Sequence, residues 1–152
     1  MGSISCAVAY KQTCCANLCE IDLNNLEFIV GYLAEFPLLG IFINVDSWDL
    51  TLWADAPWAL HSDRKFHTGA AVTVGKINLT SIVWKSCKQK IVAASASSTE
   101  AELIATSDMV DLTFVAKLYL EFLNVQIPMP IRVMQDNTSA ITIAYLARPS
   151  IH

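Results

Sequence analysis

An α/β fold on a mixed sheet is what this sequence predicts, and three observations carry the prediction. From Leu50 onward the order reads as three strands, a long helix, a short strand and a second helix. Turn residues Gly75-Lys76 join two of the strands as a hairpin, so the first three suit an antiparallel meander. The long helix lies between the third and fourth strands, the position of a crossover that returns the chain to a parallel neighbour.

Each element has its own signal. In "DLNNLEFIVGYL", Leu23, Leu26, Ile29, Val30 and Leu33 recur at helical spacing, with Asp22 as N-cap and Pro37 just beyond. "LLGIFINV", 38–45, reads as a strand of the connecting segment. "LTLWADAPW", 50–58, is a strand with Pro57 at its end or edge. "GAAVTV", 69–74, and "NLTSIVWK", 78–85, form the hairpin. The long helix spans 99–124 and is followed by Pro128 and Pro130. "IRVMQDN", 131–137, is a short strand, and "SAITIAYLA", 139–147, a helix capped by Asn137 or Thr138.

Composition narrows the function classes. At 152 residues the chain is one domain, or one domain plus an appendage. Its 54% hydrophobic content fits either a membrane segment or buried faces that have lost their partners. The longest apolar stretch, Phe28 to Val45, is interrupted by Glu35 and Pro37, which argues against a span of about 20 apolar residues. A net charge of −4 argues against a strong free-standing nucleic-acid binder. Lys85, Lys88 and Lys90 nonetheless form a local basic cluster, either a solvated surface or a phosphate-facing one. No secretory signal is read, and the five cysteines lack zinc-site spacing, so reduced thiols in an intracellular setting are expected.

Three carboxylates occupy informative places. Asp55 lies inside a strand, on the face of Trp53 by alternation. A charge there is costly unless it is paired or meets a cation. Asp136 ends the strand reached by the crossover, and Glu102 lies in the first turns of the crossover helix. If the first and fourth strands are neighbours, the three converge. Such a set suits a hard divalent cation. "SSTEAELIA", 97–105, holds a second glutamate, Glu100. Residues two apart on a helix point about 200° apart, so Glu100 and Glu102 cannot share a site. Both fit a capping box, Ser97 with Glu100 and Thr99 with Glu102, and local sequence leaves that use of Glu102 open.

Five segments in order, "ADAPWA", "DRKFHTG", "VWKSCKQKIVA", "SSTEAELIA" and "QDNTSAI", closely resemble the ribonuclease H domain of copia-type retrotransposon Pol polyproteins. That family shows D-A-D-W-A, D-R-R-S-T-S-G, W-S-S-K-K-Q, S-S-T-E-A-E-Y-I-A and C-D-N-x-S-A-I. Upstream, "SISCAVAY" and "LEFIVGYLAEFPLLGIF" resemble the tail of the reverse transcriptase. The resemblance divides the chain into a reverse-transcriptase connection, 1–47, and a ribonuclease H-like domain, 48–152. It implies a ribonuclease H-like mixed sheet with flanking helices, incomplete for want of the last strand, last helix and fourth carboxylate. It implies hydrolysis of the RNA strand of RNA–DNA hybrids by two-metal catalysis, weak or lost in this chain. The alternative is an inactive relic or a nucleic-acid- or protein-binding fragment.

Carried over by position, Asp55, Glu102 and Asp136 are the implied catalytic residues and ligands of Mg²⁺ or Mn²⁺. Glu100 is then the helix-end charge, with Ser97, Ser98 or Thr99 as cap. Lys85, Lys88, Lys90 and Asn137 are the implied nucleic-acid contacts. The implied partners are the hybrid and the reverse transcriptase domain of the same polyprotein, with no membrane. The implied location is the cytoplasm, the nucleus or a virus-like particle. Departures from the pattern are Pro57 for aspartate, His67 for serine, and extra residues near Ala94–Ser97.

Overall fold

The computed structural model describes residues 2–38, 40, 43–57, 61–77, 79–92 and 96–147, the first five of these as backbone only. Its elements are α1 (Gly2–Gln12), α2 (Glu20–Glu35), β1 (Leu50–Asp55), β2 (Lys65–Val74), β3 (Thr80–Val92), α3 (Ser98–Phe122), β4 (Arg132–Met134) and α4 (Thr138–Leu146). The four strands form one sheet in the order β3-β2-β1-β4. The first three are antiparallel neighbours, and β4 runs parallel to β1 after the α3 crossover. The mixed α/β architecture expected from the element order is therefore present.

Alternation along β1 decides where the core sits. Leu50, Leu52 and Ala54 point to one face, where α3 covers them. Val72 and Val74 of β2 join Leu50, Leu52, Met109 and Ile127 in the larger cluster. Nearer the start of α3 the cluster changes character: Ala54, Ala56, Phe66, Ala101 and Ala105. Small side chains at a contact let two elements approach closely. The four alanines thus bring the first turns of α3 down onto the end of β1.

Several elements depart from their predicted form. Among the described residues of 38–45 there is no strand. The following loop instead clamps the hairpin: Asp46 accepts hydrogen bonds from the Lys76 and Ile77 amides at 2.8 and 2.9 Å. The Gly75 amide donates to the Asp49 carbonyl at 3.0 Å, and Gly75 takes φ 112°, a value that favours glycine. The pair β2 and β3 extends well past its predicted ends, because Lys65 pairs with Val92 and His67 with Lys88. Conversely, β4 is shorter than predicted. The α2 helix forms over slightly more than the predicted span, but Cys19 is its N-cap and Asp22 sits at the third helical position. Its apolar stripe is left largely uncovered, with Leu23, Val30 and Leu33 exposed. The α1 helix, which no periodicity announced, packs against β3. Lys11 anchors it to α2 through Asp22 at 2.7 Å, and the Cys19 thiol and Lys11 together hold the Asp22 carboxyl at about 2.

Among the described residues, no helix is long and apolar enough to cross a membrane. The described cysteines Cys14, Cys15, Cys19 and Cys87 are unpaired.

Candidate metal centre

Asp55 is the last residue of β1, and Asp136 follows β4 by two positions. Because these strands are parallel neighbours, their carboxylates emerge at the same end of the sheet. Glu102 reaches them from α3. One ligand oxygen from each residue lies within 4.8 Å of the others. Asp55 and Asp136 are exposed, whereas Glu102 is buried.

Burial of Glu102 is matched by hydrogen bonds. Its Oε1 accepts from the Ala56 amide at 3.1 Å, and Oε2 accepts from Gln135 Nε2 at 3.1 Å. Gln135 is itself fixed: Nε2 also donates to Thr106 Oγ1, and Oε1 accepts from the Asn137 amide. The Glu102 carboxylate is thus oriented by the end of β1 and by the segment after β4. Burial pushes its pKa up, the bonds from Gln135 and Ala56 oppose that rise, and the charges on Asp55 and Asp136 add to it. A cation between the three groups would remove the repulsion. An all-oxygen set of this kind fits Mg²⁺ or Mn²⁺.

The two glutamates of "STEAELIA" divide as the helix geometry requires. Ser97 is the N-cap, its Oγ accepting from the Glu100 amide at 3.2 Å. Glu100 is exposed in the first turn, where a negative charge suits the helix dipole. Glu102 is spent on the cluster.

The basic residues do not form the single surface expected of them. Lys85 reaches Asp108 of α3 at 2.9 Å, while Lys88 reaches Asp63 at 2.7 Å. Three residues apart on a strand, they project to opposite faces. Lys90 is exposed. Asn137 caps α4, its Oδ1 accepting from the Ala140 amide at 3.0 Å, so its side-chain oxygen serves the helix.

Sequence reasoning missed a second polar cluster. His61 Nε2 and His67 Nδ1 share a hydrogen bond at 3.0 Å, and His67 Nε2 shares another with Ser86 Oγ at 2.7 Å. Tyr10 of α1 stacks on His61 with 5.4 Å between ring centres. Both imidazoles are buried, and burial is the first cause of their lowered pKa values. Only the register of β2 on β3 places Ser86 beside His67, and no sequence motif carries that information.

Between the carboxylates and this cluster runs an open groove of about 700 Å³ across all four strands. No protein-family model matches the chain, and no solved structure matches it.

Proposed function

We propose that the chain is a ribonuclease H-like domain of a copia-type retrotransposon Pol polyprotein. In this reading its carboxylates hold divalent metal and act on the RNA strand of an RNA–DNA hybrid. The observation that carries the reading is the convergence of Asp55, Glu102 and Asp136. Each stands in a different motif of the resemblance, and their ligand atoms lie within 4.8 Å of one another. The strand order β3-β2-β1-β4 supports it by bringing β1 beside β4.

When bound, divalent metal would supply activation of water and stabilisation of the leaving oxygen. Asp55, Glu102 and Asp136 would hold it. The chain's other residues orient these three. The Ala56 amide and Gln135 fix the Glu102 carboxylate, and the Gln135–Asn137 contact holds the backbone beside Asp136. The exposed Asp55 and Asp136 face the groove in which a backbone phosphate would lie.

A second reading, a fragment that binds without cleaving, is favoured by the ligand count. The described cluster has three carboxylates where the family pattern has four. The deciding experiment is cleavage of a labelled RNA–DNA hybrid in Mg²⁺ and in Mn²⁺, beside an Asp55→Asn control, with Mn²⁺ binding measured in parallel. Slow cleavage of the RNA strand that Asp55→Asn abolishes is the expected result. Mn²⁺ and hybrid binding without cleavage would select the second reading. Absence of both metal binding and cleavage would remove the metal-centre proposal.

A further inference from the structure

Ala56 and Gln135 fix the carboxylate of Glu102, but its backbone is held from elsewhere. Gln89 of β3 is buried. Thr68 pairs with Cys87, so Gln89 lies diagonal to Thr68 on the α3 side of the sheet. Its Nε2 donates twice, to Thr68 Oγ1 at 2.9 Å and to the Ala101 carbonyl at 3.0 Å. Both hydrogens of the side-chain amide are thereby used.

The second bond lands next to a ligand. The Ala101 carbonyl belongs to the peptide that joins Ala101 to Glu102. A peptide is one rigid plane that runs from one Cα to the next. Holding this oxygen therefore holds the plane that ends at the Glu102 Cα. The hydrogen bond is also directional, favouring angles above about 150°.

Apolar contacts do not supply the same restraint. Around the first turns of α3 they are made by Phe66 and by the methyl groups of Ala54, Ala56, Ala101 and Ala105. Methyl groups set how closely the helix lies, but they interdigitate little and resist a shift along its axis weakly. A ligand set must be held to within about 0.5 Å. A helix rises about 1.5 Å per residue, so a slip of about a third of one residue is enough to spoil it.

Packing does not account for Gln89 either. Among the described residues its Oε1 is buried without a hydrogen-bond partner. An apolar side chain of comparable size would avoid that cost. Nor does Ala101 need the bond, because its carbonyl already lies within the hydrogen-bond ladder of α3. A local breach of packing rules is expected where a site has to be held. We infer that Gln89 is a positioning residue of the metal centre: by tying the Ala101–Glu102 peptide to β2 and β3, it sets the height of α3 at which Glu102 meets Asp55 and Asp136. The inference rests on the metal-centre reading proposed above and names a residue outside the carboxylate cluster on which metal affinity depends.

The test separates affinity from stability. Mn²⁺ binding is titrated through the paramagnetic resonance signal of the free ion, and the melting midpoint is read in EDTA. The chains compared are the unaltered one, Gln89→Leu, and the double variant Gln89→Leu with Thr68→Val. The double variant removes both partners of the Thr68 bond and orphans no buried hydroxyl, so its midpoint in EDTA should stay at or above that of the unaltered chain. Its Mn²⁺ affinity should nonetheless fall about tenfold or more, the range for residues that orient metal ligands. Gln89→Leu alone should lose the same affinity. Unchanged affinity in either folded variant would overturn the inference. Failure of both variants to fold would assign Gln89 to the fold rather than to the site and would overturn it too. An unaltered chain that binds no Mn²⁺ would remove the metal centre and this inference with it, whereas binding that survives the loss of Gln89 removes this inference alone.

Discussion

The two faces of the sheet use the same strands for opposite purposes. On the α3 side, β1 presents Leu50, Leu52 and Ala54, all buried. On the other side the intervening residues are Thr51, which is buried, and Trp53 and Asp55, both exposed. The first face is filled with aliphatic carbon. The second offers an open floor of small residues, two indoles and a cluster of carboxylates. Alternation with a period of two lets one six-residue strand serve packing and recognition without compromise between them. Stability should therefore answer to one set of residues, and metal response to the other.

The sharpest way to break this division is from the packed side. Leu52→Ala removes a side chain that is 1% exposed, beside Val72 and Met109. The loss should be about 2–5 kcal/mol, read from the denaturant midpoint. A loss under about 0.5 kcal/mol, the scale of a surface change, would mean that the packed face does not hold the fold as described.

From the open side the response should be to metal. Asp55→Asn lowers the charge opposite Glu102 and should move stability in EDTA by no more than about 0.5 kcal/mol. Saturating Mn²⁺ should raise the melting midpoint of the unaltered chain and leave that of Asp55→Asn unmoved. The linkage is worth about 2.7 kcal/mol at a hundred times Kd. An equal rise in both chains would place the metal elsewhere.

The smallest effect belongs to the histidine pair, which ties α1 to the open face. Burial lowers both imidazoles; at His61 the charges on His67 and Lys88 lower it further and Asp63 opposes them, with Lys65 a minor contributor. A group whose pKa falls on folding adds stability that is complete above its unfolded value and is lost as pH drops below it. That value is 6.5 for histidine. Protection of the α1 amides, the exchange rate taken relative to the intrinsic rate at each pH, should thus be high above pH 6.5 and fall as pH drops below it. His61→Phe, which keeps a ring against Tyr10, should reduce the effect. Protection that is flat from pH 7.5 to 5 would show that Tyr10 holds α1 without the imidazoles.

What the sequence revealed divides along similar lines. The start of β1 and the α3 helix were legible because alternation and helical periodicity are local properties, while capping narrowed the start of α3 to Ser97, Ser98 or Thr99, of which Ser97 is the cap. Asp55, Glu102 and Asp136 could be singled out by motif, and the crossover pattern placed their strands together. The ends of β2 and β3 were not legible. Lys65, His67 and Lys88 resemble loop residues until cross-strand pairing accounts for their amides. The strand expected at 38–45 was apolar, yet the described residues of the segment form no strand, and the chain beyond it turns back through Asp46 to brace the hairpin. Splitting of the lysines between two faces, and the joining of Ser86 to His67, depend on the register of the sheet.

The parallel pairing of β1 with β4 has a consequence for the order of events in folding. The hairpin of β2 and β3 closes over a few residues and can form early. Asp55 and Asp136 are separated by about half the chain, and the β1–β4 contact requires the whole crossover to be complete. Such distant contacts come at a high loop-closure cost and are characteristic of late steps. The carboxylate cluster is therefore assembled last. A divalent ion has no site in the partly folded chain, so it should slow unfolding without accelerating folding.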